Sequence, residues 1–432
     1  MTGLFHVKHE EKGVANKALP GVSYYIKNPV RQGEFEPGIS QERKDPMQTR
    51  FGIIGLGVQG ALYAALLQGT PMQGNAALPR PALCRLTAVS TRNEATLAPY
   101  RTAGLACYTD WRSLIDAHAC DAVLITVPHR LHAEIALYAM EHGLDVLCDK
   151  PAALRASDAA RMADTAQRTG RALGYLFNQR ANPLHRQVAE LLQSGALGRV
   201  RRSVWVADAW WRPDSYYRSA AWRGSWRGEG GGILVNQAPH QLDLWLWFCG
   251  MPQRIYACNR EGAYRAIEVE NDVTLVAEYP GGAVGVFTAS THNPAGVNRL
   301  EIECEGGTIL LEDAARLRVR RFVRTETELN RILTQHEQET ALRTDPERLF
   351  VEETASCAAP LLAAYTDCIE NFAAHRATGA PLLADAAAGL AEVQLANAAH
   401  LSGWQGRAVA CPCDPEIYDA ALQQRIEASA KV

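Results

Sequence analysis

A glycine loop between an apolar run and a helix-forming stretch is the feature that most constrains the fold of this chain. The run Phe51–Ile54 leads into Gly55-Leu56-Gly57-Val58-Gln59-Gly60, and a helix-forming stretch follows over Ala61–Gln68. Glycines at this spacing allow a tight strand-to-helix turn, a close backbone approach to a pyrophosphate, and packing of helix on strand. The unpaired N–H groups of the helix N-terminus favour phosphate. The loop therefore predicts a dinucleotide site made by Gly55, Gly57, Val58, Gln59 and Gly60.

Length and charge favour a two-domain protein with a small-molecule ligand. The chain has 432 residues, which is more than one ordinary core needs. Its 44 basic and 47 acidic residues are scattered, so neither a nucleic-acid stripe nor a membrane patch is expected. The eleven cysteines are dispersed, which indicates a reducing, cytoplasmic setting. No apolar run approaches ~20 residues, so no membrane span is expected. The close pair Cys411 and Cys413 lacks a second Cys/His pair at zinc spacing, so no metal site is expected.

The pattern of elements changes along the chain. From residue 50 to 193 short apolar runs alternate with helical stretches, which predicts a parallel sheet wrapped by helices. From residue 200 to 311 extended runs follow one another across Gly-Gly turns, which predicts a mostly antiparallel sheet. The charged stretch over 325–348 is expected as an exposed helix or loop. The predicted division is a flexible arm over 1–46, a dinucleotide-binding domain over 47–172, and a substrate-binding and oligomerisation domain over 173–432.

The end of the second predicted strand bears on the choice of cofactor. An acidic residue there usually binds the ribose hydroxyls, but here the strand ends in Ser90, Thr91 and Arg92. Two hydroxyls and a guanidinium match a 2′-phosphate, which favours NADP. NAD remains open, with Arg92 in solvent.

A lysine stands at the carboxyl end of a predicted parallel strand, where ligands bind in open α/β sheets. The run over 145–148 leads directly into Asp149-Lys150-Pro151. A semi-buried lysine there is able to donate a hydrogen bond to a substrate oxygen or to help move a proton. The alternative is an ordinary surface lysine.

A second group of polar residues follows the glycines Gly230–Gly232. The sequence predicts a glycine turn leading into a helix, on which Asn236, His240 and Asp243 share one face at helical spacing. The rest of the helix is apolar, so an amide, an imidazole and a carboxylate on one face call for a partner.

These motifs, taken together, resemble the Gfo/Idh/MocA family of oxidoreductases from about Met47 to the C-terminus. The resemblance implies a Rossmann domain, a C-terminal α/β domain with a large, mostly antiparallel open sheet, and a homodimer or homotetramer formed through that sheet. It implies Lys150 and His240 as the catalytic pair, with Asp243 as a substrate or orienting residue. Two residues depart from the family pattern, since Asn236 replaces an acid and Asp149 replaces a glutamate. Asp149 is expected near the nicotinamide ribose. Pro128 and His132 match a loop that lines the cofactor site, although helix capping or packing is an equal reading of His132.

An aromatic and basic segment suggests the substrate. Seven of the nine tryptophans fall between Trp205 and Trp247, interleaved with arginines. Such a segment stacks on sugar rings and binds their hydroxyls, although core and interface packing explains about half of the rings. The expected substrate-binding residues are Asn236, Asp243, Trp210, Arg218 and Trp222.

The sequence thus predicts an NADP- or NAD-dependent oxidoreductase that moves hydride between a secondary alcohol of a sugar or cyclitol and nicotinamide. His240 would take the hydroxyl proton and Lys150 would polarise the oxygen. Two alternatives stay open. One is an NAD-dependent glycosidase that oxidises the sugar transiently to allow elimination, and the other is a sugar-responsive binding protein without chemistry.

Overall fold

The computed structural model describes residues 48–70, 80–358 and 361–429. The predicted arm over 1–46 lies outside the described residues. The described chain forms two sheets, one parallel and one mostly antiparallel, with helices packed on both.

The first sheet has six parallel strands in the order β3-β2-β1-β4-β5-β6. Its central strand β4 is buried at all four residues, as expected when helices cover both faces of a sheet. This confirms the predicted Rossmann-type sheet. Its strands are β1 (Thr49–Ile54), β2 (Cys84–Ser90), β3 (Ala106–Tyr108), β4 (Ala122–Ile125), β5 (Asp145–Cys148) and β6 (Leu173–Tyr175). The intervening helices are α1 (Val58–Gln68), α2 (Glu94–Thr102), α3 (Trp111–Asp116), α4 (His132–Glu141) and α5 (Ala156–Thr169).

Three elements of this sheet were missed by the sequence patterns. The strand β3 has only three residues, and α3 has only six. The helix α2 carries an internal proline, Pro99, and buries a single residue, Leu97. Short elements with so little apolar content have no clear period, so their formation depends on the neighbouring elements.

The second sheet has nine strands in the order β14-β13-β12-β11-β7-β10-β9-β8-β15. Only β7 and β10 pair in parallel, which confirms the predicted mostly antiparallel sheet. Buried and half-buried residues alternate along β12, as in a sheet with one covered face. The strands are β7 (Val200–Ala207), β8 (Arg254–Glu261), β9 (Glu270–Glu278), β10 (Val284–Ser290), β11 (Asn298–Cys304), β12 (Gly307–Glu312), β13 (Arg316–Phe322), β14 (Phe350–Ser356) and β15 (Val409–Ala410).

Helices cover the inner face of this sheet, and large aromatic rings fill the core between them. Trp205 and Trp245 are buried and pack with Phe287. The stretch over 325–348 forms two mostly exposed helices, α9 and α10, and a short 3₁₀ turn. The helices of this part are α6 (Pro183–Gln193), α7 (Asp214–Arg218), α8 (Pro239–Cys249), α9 (Glu326–Ile332), α10 (Gln335–Thr344), α11 (Leu361–Thr378), α12 (Ala386–Gln405) and α13 (Pro415–Ala428).

Two elements that lie beyond residue 172, the predicted domain boundary, belong to or pack on the parallel sheet. The strand β6 belongs to the parallel sheet, beyond the predicted boundary. Helix α11 also returns to that sheet, where Ile369 and Phe372 join its core and Arg376 donates to Asp145 at 2.6 Å. The parallel sheet has an apolar face that must be buried, and α11, late in the chain, packs on it. No local sequence pattern reveals this contact.

Among the described residues, no helix combines the length and apolar character that crossing a membrane requires.

We expect Phe372→Ala to lower the free energy of unfolding by about 3–5 kcal/mol, because it leaves a cavity where α11 covers the parallel sheet. The ring of Phe372 is 1% exposed and lies against Phe51. Ile332→Ala is the control, since Ile332 is 56% exposed on α9 and its loss should change the free energy by no more than about 0.5 kcal/mol. Chemical denaturation of both variants measures the difference, and equal effects would contradict this account of α11.

Candidate active site

The glycine loop has the shape of a phosphate cradle. Gly55 has a φ of +99°, and a Cβ at Gly60 would lie 1.9 Å from the carbonyl oxygen of Gly55. A Cβ at Gly57, in contrast, would meet no atom within 4 Å. Helix α1 begins at Val58 with no capping side chain, so its first N–H groups are available to an anion. The tight turn, the open position and the free N–H groups fit the pyrophosphate of a dinucleotide.

The remaining residues of this region differ in how far they are available to a ligand. Val58 is 88% exposed, and Gln59 interacts with the hydroxyl of Tyr365 on α11. At the end of β2, Ser90 is buried and its carbonyl accepts from Gly55 N–H at 2.9 Å. Arg92 is exposed and has no ion pair among the described residues. Arg92 is therefore the group in this region best placed to meet a ligand phosphate.

Lys150 lies where the two sheets meet. Its Nζ donates to the carbonyl oxygen of Asn236 at 2.5 Å, and its backbone N–H donates to Asp149 Oδ1 at 2.9 Å. Burial lowers the pKa of Lys150, and the neighbouring Asp149 opposes that shift. Burial also raises the pKa of the Asp149 carboxyl. The structure thus joins the Asp149-Lys150 motif to the second motif, and it excludes the reading of Lys150 as an ordinary surface lysine.

Asn236 is not on a helix, contrary to the sequence prediction. Helix α8 begins at Pro239, and Asn236 lies in the preceding turn, where its N–H donates to Gly232 O at 2.9 Å. Its side-chain amide donates to the hydroxyl of Tyr216 at 3.1 Å and to the carboxylate of Glu229. The proline and the glycine-rich turn delay the start of the helix. Asn236 therefore holds Lys150 through its main chain, while its amide donors are engaged by protein groups.

His240 occupies the first turn of α8, next to the ring of Phe177. Burial lowers the pKa of His240 to about 3, and the charge of Lys150 adds to the shift. Its Nδ1 is buried without a hydrogen-bond partner in the described part of the chain. A neutral imidazole beside a lysine is able to accept a proton from a hydroxyl group.

The structure pairs Asp243 with Arg180, a contact that the sequence analysis did not predict. It is 1% exposed, and its two carboxylate oxygens accept from Arg180 Nε and Nη2 at 2.8 and 2.7 Å. Burial raises the pKa of Asp243 to about 6, against the opposing effect of Arg180. This buried ion pair engages both carboxylate oxygens, and no hydrogen bond joins Asp243 to His240 among the described residues. The predicted role of Asp243 as a substrate or orienting residue stays a prediction.

His132 and Pro128 shape the loop after β4. Nδ1 of His132 lies 2.8 Å from the carbonyl oxygen of Pro151, and Nε2 lies 2.9 Å from that of Val127. His132 is buried, and Pro128 is half-buried at the start of a 3₁₀ turn. With both ring nitrogens engaged, His132 packs between the loops after β4 and β5.

The aromatic segment divides into core and site residues. Trp210 packs against the core of the second sheet. Trp222 is half-buried, with its ring centroid 5.8 Å from that of His129 and the guanidinium of Arg223 at 4.4 Å. Arg218 is exposed at the end of α7. Of the three predicted substrate residues in this segment, Trp222 lies beside His129, whose pKa the nearby charge of Lys150 helps to lower.

Two buried acids in the site were missed by the sequence analysis. Glu229 accepts from Gly224 N–H at 2.7 Å and from the Asn236 amide, and burial raises its pKa to about 7. Glu392 on α12 is 0% exposed, and neither carboxylate oxygen has a hydrogen-bond partner among the described residues. Burial raises its pKa well above the usual range, the charge of Asp243 adds to that shift, and Lys150 opposes it. The signal for Glu392 was available, because it is the only acid in α12, a helix rich in alanine and leucine that contains no lysine or arginine.

Comparison with known proteins agrees with this architecture. Residues 49–177 match the family described as "Oxidoreductase family, NAD-binding Rossmann fold", and residues 185–310 match the "GFO/IDH/MocA C-terminal domain". A levoglucosan dehydrogenase from Pseudarthrobacter phenanthrenivorans is 27% identical over 281 residues, which cover 59% of this chain and 70% of that protein.

Two solved structures share the fold over most of the chain. A levoglucosan dehydrogenase in complex with NADH superimposes with a TM-score of 0.69 at 22% identity, covering 85% of this chain and 100% of that one. The WlbA dehydrogenase from Bordetella pertussis, in complex with NADH and UDP-GlcNAcA, gives a TM-score of 0.66 at 22% identity, with the same coverage.

The glycine loop allows a matched pair of variants. We expect Gly57→Ala to fold normally, because the new methyl group meets no atom, but to weaken nicotinamide cofactor binding at least tenfold, because that methyl group occupies the space of the pyrophosphate. Gly60→Ala should destabilise the protein itself, since its Cβ would collide with the Gly55 backbone. Thermal unfolding and cofactor titration followed by fluorescence separate the two effects. Unchanged cofactor affinity in Gly57→Ala would contradict the assignment of the loop.

Proposed function

The chain belongs to the Gfo/Idh/MocA family of NAD(P)-dependent oxidoreductases, and we propose that it oxidises or reduces a secondary alcohol carbon of a sugar or cyclitol. The observation that carries this proposal is the proximity of Lys150, which follows β5 of the parallel sheet, to His240 on α8, whose pKa the charge of Lys150 helps to lower. One relative is named for its action on levoglucosan, and the WlbA dehydrogenase structure contains UDP-GlcNAcA, which supports a polyhydroxylated substrate.

The residues of this chain divide the proton chemistry between them. His240 is neutral at physiological pH and accepts the hydroxyl proton during oxidation. Lys150, held by the Asn236 carbonyl, keeps two further N–H donors for the substrate oxygen. The nicotinamide cofactor, when bound, supplies the hydride acceptor or donor. Gly55, Gly57, Val58 and Gly60 would hold its pyrophosphate, and Asp149 would lie near its ribose.

NADP is the preferred cofactor in this proposal. The exposed guanidinium of Arg92 stands where dinucleotide-binding domains usually place an acid that binds the ribose, with Thr91 beside it. An unpaired arginine attracts a 2′-phosphate, whereas NAD offers it only hydroxyl groups.

The proposal includes a homo-oligomer in a reducing, cytoplasmic compartment. On the outward face of the second sheet, half-buried apolar residues such as Val204, Val286 and Leu310 are flanked by charged residues. An open sheet face with this composition suits pairing with a second copy of the chain. All eleven cysteines are free thiols, which supports a reducing environment.

We expect His240→Asn and Lys150→Met each to lower kcat by about 10²–10⁴-fold, because each removes a group that moves or polarises the reacting proton. The exposed His142, which directly follows α4, provides the control His142→Asn, which should keep full activity. The measurement is nicotinamide absorbance with NADP or NAD against free sugars, cyclitols and aryl glycosides. Aglycone release without net cofactor reduction would favour the redox-assisted glycosidase, and binding without either signal would favour a non-catalytic sugar sensor.

We expect Arg92→Ala to raise KM for NADP about tenfold, because one charge-assisted contact to phosphate is lost, while KM for NAD changes less than about twofold. Arg85→Ala is the matched control, since Arg85 is exposed and lies near the start of β2, whereas Arg92 follows the end of that strand. Initial rates with both cofactors give the ratio of the two constants. Equal changes for NADP and NAD would rule out a role for Arg92 in reading the 2′-phosphate.

A further inference from the structure

Two arginines, Arg212 and Arg223, lie around one tyrosine beside Lys150. The guanidinium carbons of Arg212 and Arg223 lie 5.0 and 4.2 Å from the ring centroid of Tyr216. The Tyr216 hydroxyl accepts from Arg223 and from the Asn236 amide, and Asn236 in turn holds Lys150. The charge of Arg212 contributes to lowering the pKa of Lys150, which places this guanidinium close to the proposed catalytic amine.

Neither arginine is neutralised by the protein. Within residues 80–358 and the other described stretches, neither guanidinium forms an ion pair, and the Nε atom of each is buried without a hydrogen-bond partner. Neighbouring arginines behave differently, since Arg180 pairs with Asp243 and Arg265 lies 3.8 Å from Asp214. Buried guanidinium donors without acceptors are costly, and an anion in the site would satisfy them.

The nearest acid does not serve as that anion. Glu229 lies close enough for Arg223 to oppose the rise of its pKa, but they are not within ion-pair distance. Its oxygens accept instead from Gly224 N–H and from Asn236. Burial raises the pKa of Glu229 to about 7, so much of it is protonated at neutral pH and carries little charge to offset two arginines.

We propose that Arg212 and Arg223 bind an anionic group of the substrate, so that this site prefers a sugar carrying a carboxylate or a phosphate over the neutral sugar. The inference rests on the proposed function and narrows its substrate class. A guanidinium presents a planar fork of donors that matches either group. Both guanidinium groups lie over the ring of Tyr216, whose hydroxyl contacts Asn236, and Asn236 in turn accepts from Lys150. The anion would also offset the repulsion between Arg212 and Lys150.

Binding of matched sugars tests the proposal. Calorimetry on the full-length protein, with and without NADPH, would compare glucose, galactose and mannose with their uronates and 6-phosphates. We expect at least one uronate or 6-phosphate to bind about tenfold or more tightly than its neutral parent. Preference for the uronates would indicate recognition of a carboxylate, and preference for the 6-phosphates would indicate recognition of a phosphate. If no anionic sugar of the panel is preferred by the wild-type protein, the proposal is overturned without reference to any variant.

Substitutions of the two arginines test whether they cause the preference for an anionic sugar. Arg212→Gln and Arg223→Gln should each remove most of the tenfold difference and leave affinity for the neutral parent within about twofold. Arg227→Gln is the matched control, because Arg227 is an exposed arginine of the same segment. Persistence of the preference in both site variants would place the anion elsewhere and contradict the inference. A separate assay of the same sugars with NADP, followed by nicotinamide absorbance, distinguishes the two proposals, since an anion preference without turnover refutes only the proposed function.

Discussion

The amine of Lys150 donates a hydrogen bond to the main-chain carbonyl of Asn236, and this contact joins the end of the parallel sheet to the turn before α8. A hydrogen bond that involves a charged group is worth about 1.5–3 kcal/mol, and loss of one buried partner costs more. The lysine is therefore held in one position by the second motif. His240 and Arg212 lie close to this junction, because the charge of Lys150 helps to lower the pKa of His240 and the charge of Arg212 helps to lower the pKa of Lys150.

Burial of ionisable groups is the second constraint on the site. Desolvation is the largest cause of the shifts at Lys150, His240, Glu229 and Glu392, and in each case it favours the neutral form. Asp243 shows the alternative solution, a bidentate ion pair with Arg180. Among these groups the pKa of Glu229, about 7, lies close to neutral pH, so a small change in charge on ligand binding alters its protonation.

Local patterns predicted the parts of the fold that local physics decides. The glycine loop, helix α1, strand β5 and the change from parallel to antiparallel strands follow from turn chemistry and from apolar periodicity. The prediction that Asn236 shares a helical face with His240 and Asp243 was wrong for Asn236, because spacing alone does not show that the helix begins at Pro239. Spacing also does not show that Arg180 pairs with Asp243. Glu229 was missed since its burial depends on distant elements.

The sequence by itself determined the parallel sheet and the glycine turn, because each follows from a short segment with a strong conformational preference. The role of Lys150 and His240 as the reactive pair stays a prediction. Tertiary structure alone decided which polar groups are paired. Asp243 with Arg180 and Lys150 with Asn236 are contacts across 63 and 86 residues. Such contacts, and the return of α11 to cover the parallel sheet, arise because the apolar faces of separate elements must be buried against one another, and this packing fixes which charges meet.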